Sequence, residues 1–126
     1  MRFTHVATRT GDLDKAIAFS KALGLEHSRT REIEAHKATL AFMTRPGDDF
    51  SIELVYNWGK DELYDGGARF GHFAFDVEDL EAAYAQLLAA GAAEVGRPPA
   101  EHPGGSGPRI AFVADPDGNW VELIER

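Results

Sequence analysis

The sequence predicts an α+β fold made of two βαβββ modules. Three observations carry that expectation. The chain repeats itself: Phe3-Thr4-His5-Val6-Ala7 returns as Phe70-Gly71-His72-Phe73-Ala74, and Ile52-Glu53-Leu54 returns as Val121-Glu122-Leu123. Each copy opens with a period-two stretch and passes into a helix-period stretch. Each helical stretch stops at a glycine and is followed by three β-rich pieces.

In the first copy, Phe3, His5 and Ala7 alternate with Val6 and Thr8, which is a strand period. Asp12 can cap a helix that carries Leu13, Ala16, Ile17, Ser20 and Leu23 on one side, and Gly24 stops it. Strands are expected near 25–30, 37–43 and 51–56. In the second copy, Asp79 answers to Asp12, and the helix carries Leu80, Ala83, Tyr84, Leu87 and Leu88 before Gly91. Strands are expected near 94–97, 109–114 and 120–124. Asp115-Pro116-Asp117-Gly118 reads as the hairpin turn between the last two. A polar stretch near 59–68 joins the copies.

A chain of 126 residues is sized for one domain over 1–126, here with modules at 1–58 and 69–126. A module of roughly 60 residues buries too little surface to stand comfortably alone. The copies should therefore pack together or pair with copies from a second chain. One face of each sheet is covered by its helix, which leaves the other to line a cavity.

Composition narrows the function. Hydrophobic residues make up 44% and charged residues 27%, as in soluble globular proteins and unlike disordered ones. The 13 Lys and Arg against 21 Asp and Glu leave a net charge of −8, which disfavours nucleic-acid binding. Cysteine is absent, so disulfides and thiolate–zinc sites are excluded and a reducing compartment suits the chain. The most apolar run, from Leu80 to Ala93, is broken by Glu81, Gln86 and Gly91 and is too short to span a bilayer. Met1-Arg2-Phe3-Thr4-His5 lacks an apolar h-region, so no secretory leader is expected. The expectation is a cytoplasmic protein with neither membrane nor nucleic acid as partner.

Strand alternation sorts the side chains by face. Ile52 and Leu54, Phe73 and Phe75, and Val121 and Leu123 form the expected helix-side core. His5, Glu53, His72 and Glu122 then fall on the opposite faces. Singly, a strand histidine is usually hydrogen-bonded and a strand glutamate solvated. Here one histidine and one glutamate recur at equivalent places, and a buried carboxylate needs a partner, a proton or a metal. Two imidazoles and two carboxylates suit a divalent first-row ion, with Zn²⁺, Ni²⁺, Co²⁺, Mn²⁺ and Fe²⁺ all acceptable. An ion with labile positions can act as a Lewis acid. His27, His36 and His102 have no such pairing and read as surface residues.

These residues resemble the vicinal oxygen chelate superfamily, and within it glyoxalase I, the lactoylglutathione lyases. The resemblance runs from about Phe3 to Glu125. It rests on His5 with Gly11-Asp12-Leu13-Asp14-Lys15, Leu23-Gly24-Leu25, Thr39-Leu40-Ala41-Phe42 and Ile52-Glu53-Leu54 in the first copy. Tyr56-Asn57-Trp58-Gly59, Gly71-His72 and Asp115-Pro116-Asp117-Gly118-Asn119-Trp120-Val121-Glu122-Leu123-Ile124 complete it. Glu53 separates the chain from the similar epimerases, which usually carry glutamine there. The compact length resembles the bacterial short forms.

That resemblance implies a metal set of His5, Glu53, His72 and Glu122, with one Ni²⁺ or Co²⁺ per site favoured and Zn²⁺ as the alternative. It implies isomerisation of the glutathione–methylglyoxal hemithioacetal to S-lactoylglutathione by proton transfer through a metal-stabilised ene-diolate. Glu122, with Glu53 second, is the implied catalytic base. Arg9 and Asn57 match residues that contact glutathione, and Arg69 is a further cationic candidate. It also implies a homodimer with sites at the interface. The pair Phe19-Ser20 departs from the family's usual aromatic after that phenylalanine. The run His102-Pro103-Gly104-Gly105-Ser106-Gly107 lacks the lysine that many members carry before their glycine pair. Another superfamily enzyme, such as an epimerase or thiol transferase, or a ligand-binding member without catalysis, is the alternative.

Overall fold

A computed structural model describes residues 1–126, which form two compact units, Met1–Asp65 and Gly66–Arg126. The first contains β1 (His5–Arg9), α1 (Leu13–Ala22), β2 (Glu26–Ile33), a short 3₁₀ turn (Glu34–His36), β3 (Ala38–Thr44) and β4 (Ser51–Asn57). The second contains β5 (His72–Val77), α2 (Leu80–Ala89), β6 (Ala93–Glu94), β7 (Ile110–Ala114) and β8 (Trp120–Glu125). Each unit is thus βαβββ, as the repeat predicts.

In the first sheet the strand order is β1-β4-β3-β2, and in the second it is β5-β8-β7-β6. The first strand of each unit lies parallel to the last, and every other pairing is antiparallel. A parallel pairing cannot be closed by a tight turn, so the helix and two further strands make the crossover.

The helices start and stop where the residues dictate. Asp12 accepts the backbone N–H of Lys15 at 3.0 Å, and Asp79 accepts that of Ala82 at 2.8 Å. These aspartates satisfy donors that the first helical turn leaves open. Gly24 and Gly91 follow the helices at φ +87° and +107°, a region that glycine enters without penalty.

α1 packs on β2, β3 and β4, and α2 packs on β7 and β8. The first core gathers Ala16 and Phe19 with Ala41, Met43, Ile52 and Leu54. The second gathers Leu80, Tyr84 and Leu87 with Ala111, Val113, Val121 and Leu123. Each large side chain buried this way contributes about 1.5–3 kcal/mol.

The structure corrects several local expectations. The buried side of α1 is Ala16, Phe19 and Ser20, whereas Leu13, Ile17 and Leu23 are only half-buried. Phe73 and Phe75 are also half-buried, because β5 is an edge strand with a neighbour on one side only. β2 runs on to Ile33 because it pairs with β3 as far as Ala38. That tight reversal places Lys37 at φ +50°. β6 is shorter than expected. Gly96 turns the chain at φ +74°, and Pro98 and Pro99 have no N–H to give a ladder. His102 is half-buried, not a plain surface residue. Its Nδ1 accepts the Gly104 N–H at 3.1 Å, and its ring lies against Gly107.

Candidate active site

The parallel pairing of β1 with β4 sets Ala7 opposite Glu53. His5, two residues earlier, shares the face of Ala7, and its Nε2 lies 3.2 Å from Glu53 Oε2. The second unit repeats this. Ala74 is opposite Glu122, and His72 Nε2 lies 3.0 Å from Glu122 Oε2. The environments also match. The side chains of His5 and His72 are 42% and 41% exposed, those of Glu53 and Glu122 14% and 17%. Burial therefore does not rank one glutamate above the other.

Behind each pair stands a buried phenylalanine. Phe42 is the register partner of Glu53, and Phe112 that of Glu122. His5 meets Phe42 edge-on with ring centroids 6.2 Å apart, and His72 meets Phe112 edge-on at 5.3 Å. These contacts limit how each imidazole can turn, so its Nε2 stays aimed at the carboxylate.

No group of three or more potential metal-holding side chains forms within either unit. The predicted quartet occurs as two pairs, one per unit. The donor chemistry of each pair fits a divalent ion. Nitrogen and oxygen donors that sit ~2.1 Å from one ion at about a right angle are ~3 Å apart.

Arg9 and Asn57 are brought together by a residue that sequence reading missed. Asn57 Nδ2 donates to Tyr64 Oη at 2.9 Å, and the Arg9 guanidinium carbon is 6.0 Å from the centroid of the Tyr64 ring. Lys60 Nζ is 4.5 Å from the same centroid. The loop after β4 carries Lys60 and Tyr64 and is tied down at several points. The Tyr56 hydroxyl donates to Asp61, the Lys60 N–H to the Asn57 carbonyl, and the Trp58 indole to Thr39. The hydrogen bond to the Asp61 carboxylate also raises the Tyr56 phenol above its ordinary pKa, since it favours the protonated form. Arg69 is exposed ahead of β5.

An open cleft of about 500 Å³ in the first unit is lined by Gly11, Asp12, Leu13, Asp14, Tyr56 and Asp61. It contains none of the predicted site residues.

Arg29 and Arg97 also went unnoticed in the sequence. The Arg29 guanidinium carbon is 4.1 Å from the Phe42 ring centroid, and that of Arg97 is 5.4 Å from the Phe112 centroid. Their signal was available, because each stands in the β-rich piece that follows its module's helix.

Comparison with known proteins agrees with the fold. The profile of the Glyoxalase/Bleomycin resistance protein/Dioxygenase superfamily matches residues 2–123. A probable lactoylglutathione lyase of Vibrio parahaemolyticus is 44% identical, over 98% of this chain and 90% of that protein. The lactoylglutathione lyase of Haemophilus influenzae is 41% identical, over 99% of this chain and 93% of its own length. Among solved structures, glyoxalase I from Zea mays superposes with a TM-score of 0.86 at 38% identity. That match takes in 99% of this chain but only 44% of the maize chain, so the present chain spans less than half of the plant protein. With the two βαβββ units and their repeated His–Glu pairs, these likenesses establish that the chain belongs to the Glyoxalase/Bleomycin resistance protein/Dioxygenase superfamily, in its lactoylglutathione lyase branch.

Proposed function

We propose that this protein is a metal-dependent lactoylglutathione lyase that converts the glutathione–methylglyoxal hemithioacetal into S-lactoylglutathione. The observation that carries the reading is the repeated pair, His5–Glu53 at 3.2 Å and His72–Glu122 at 3.0 Å. It stands in a chain of the lactoylglutathione lyase branch.

In this reading His5, Glu53, His72 and Glu122 hold one divalent ion, Ni²⁺ or Co²⁺ in preference to Zn²⁺. A bound ion supplies Lewis-acid stabilisation to substrate oxygens as negative charge develops there. The chain's own groups do the rest. Glu122 takes the proton from C1 of the hemithioacetal and returns it to C2, with Glu53 as the second candidate. No proton is gained or lost overall, so no further reactant is consumed. A positioned base of this kind contributes roughly 10²–10⁴-fold in rate. Arg9 and Asn57 bind the glutathione portion beside Tyr64.

The quartet is completed in a homodimer, where His5 and Glu53 of one chain join His72 and Glu122 of a second copy. Exposed Phe3, packed on Phe50 at 5.9 Å between centroids, and exposed Phe70, packed on Phe73 at 5.0 Å, support this. Such rings favour a protein partner over water. No helix is long and apolar enough to cross a membrane. A cytoplasmic location suits the cysteine-free chain.

The test is metal reconstitution. Protein stripped with chelator is given Ni²⁺, Co²⁺, Zn²⁺ or Mn²⁺ separately, and thioester formation from glutathione and methylglyoxal is followed. Activity with Ni²⁺ or Co²⁺ and little with Zn²⁺ is the expected result. Stoichiometric metal binding without activity under any ion would overturn the substrate assignment. A fully active monomer in light scattering would overturn the shared site.

A further inference from the structure

The two histidines of the candidate site are held differently. In the repeat, Phe3-Thr4-His5 answers to Phe70-Gly71-His72. Thr4 places its Oγ1 3.2 Å from His5 Nδ1, while the other ring nitrogen, Nε2, faces Glu53. Gly71, at the equivalent place, has no side chain to offer His72. The ring contacts differ in the opposite sense. His5 stands 6.2 Å from the Phe42 centroid, and His72 stands closer to that of Phe112, at 5.3 Å. The first imidazole thus has the looser aromatic support and the added hydroxyl.

Thr4 is itself fixed. Its carbonyl accepts the Ser51 N–H at 3.1 Å, which ties the residue to the start of β4. Phe3 beside it packs on Phe50, with ring centroids 5.9 Å apart. Branching at Cβ leaves threonine few χ1 choices. His5 is therefore aligned at two points, Nε2 at 3.2 Å from Glu53 Oε2 and Nδ1 at 3.2 Å from Thr4 Oγ1. In a metal-binding imidazole, the bond made by the far nitrogen selects the tautomer and fixes the ring orientation. A neutral ring that binds through Nε2 carries its proton on Nδ1, and that proton needs an acceptor. A hydroxyl accepts it, and also donates to Nδ1 when the proton sits on Nε2.

We propose that Thr4 is the positioning residue of His5: its hydroxyl holds the ring and stabilises the tautomer that leaves Nε2 free for a divalent ion. The ion-binding part rests on the function proposed above, and the Thr4–His5 bond does not. With glycine at the equivalent place, the hydroxyl serves the first half-site only.

The test uses Thr4→Val and Thr4→Ser in the full chain. Valine keeps the branched shape and removes the hydroxyl. Serine keeps the hydroxyl and removes the methyl group. Two readouts are taken. NMR of the histidine ring nitrogens and their protons compares His5 with His72 in metal-free and Zn²⁺-loaded protein. Competition with a chromogenic chelator measures Zn²⁺ affinity.

Thr4→Val is expected to move the His5 Nδ1 resonance with and without the ion, and to speed exchange of its proton with water in the loaded protein. The His72 resonances should stay in place. Zn²⁺ affinity should fall about 10-fold, the low end for loss of a partner behind a metal-binding histidine. Thr4→Ser should restore both readouts. An unmoved His5 Nδ1 resonance, an unchanged Zn²⁺ affinity, or a serine variant as impaired as the valine one would overturn the proposal. A wild type that binds no Zn²⁺ overturns the metal reading and the ion-binding part of this one. The metal-free spectra then decide the Thr4–His5 bond by themselves.

Discussion

The side-chain amide of Asn57 donates to the Tyr64 hydroxyl at 2.9 Å, and Arg9 approaches the same ring from β1. Tyr64 thus holds the Asn57 amide and lies beside Arg9, the two residues proposed for the glutathione portion. Tyr64→Phe keeps the ring near Arg9 and removes the acceptor for Asn57. The expected outcome is a several-fold rise in KM with kcat retained, and a stability loss of about 1 kcal/mol. Kinetics and urea melts of the same preparation check both. An unchanged KM would leave Tyr64 a purely structural residue.

The His–Glu pairs make the strongest prediction. His5→Ala, Glu53→Gln, His72→Ala and Glu122→Gln should each lower kcat at least ~100-fold and lower bound metal, since outer-shell changes alone cost 10–100-fold. Their far-ultraviolet circular dichroism should match wild type, because the four side chains lie on the face away from the helices. Full activity in Glu53→Gln would point to an epimerase-like site instead.

Gly11 has no room for a side chain. A Cβ there would lie 2.4 Å from the Glu62 carbonyl oxygen, a backbone atom that cannot swing aside. Gly11→Ala must displace the loop after β4, the same loop that carries Lys60 and Tyr64. A loss of about 1–3 kcal/mol in urea unfolding is expected, as for other overpacked positions. KM should rise as well.

The two helix caps are equivalent and should cost alike. Asp12→Ala and Asp79→Ala each remove one side-chain bond to the first turn, worth about 1 kcal/mol. Chemical denaturation of the two variants measures this directly. A much larger loss at one cap would show that its aspartate does more than close the helix.

Stability should depend on pH through Arg109. Its guanidinium bonds Glu81 and also reaches Glu125 at 3.3 Å. The hydrogen bond from Arg109 holds the Glu81 carboxyl below its ordinary value of 4.5, and the neighbouring carboxylates in turn raise Arg109. A depressed carboxyl pKa stabilises the fold above the unfolded value and loses that contribution as pH falls through the folded value. The wild type should therefore lose stability below about pH 4.5 relative to Glu81→Gln, and the two should run parallel above it. Thermal melts between pH 3 and 7, on the order of one per half unit, check the sign.

Much of the fold was readable along the chain because its causes are local. Period two put His5 and Glu53 on the faces opposite Ile52 and Leu54. Asp12 and Asp79 marked the helix starts, Gly24 and Gly91 their ends. Asp115 to Gly118 formed the expected reversal, with the Gly118 N–H on the Asp115 carbonyl at 2.9 Å. Phe19 was the weak point. A short helix with apolar groups on more than one side does not say which side meets the sheet, and only packing against β2, β3 and β4 selected Ala16, Phe19 and Ser20.

The sequence by itself determined the duplication, the order of elements, and the presence of one histidine and one glutamate at matched places in each copy. Those follow from residue type and spacing alone. Tertiary structure decided that β1 lies parallel beside β4 and β5 beside β8, which closes each His–Glu pair to about hydrogen-bond distance. It alone decided that Arg29 and Arg97 lie on Phe42 and Phe112, and that Tyr64 gathers Arg9 and Asn57. Most such contacts join residues on different strands. They depend on which strands become neighbours and in what register, and that is a property of the packed sheet, not of any local stretch.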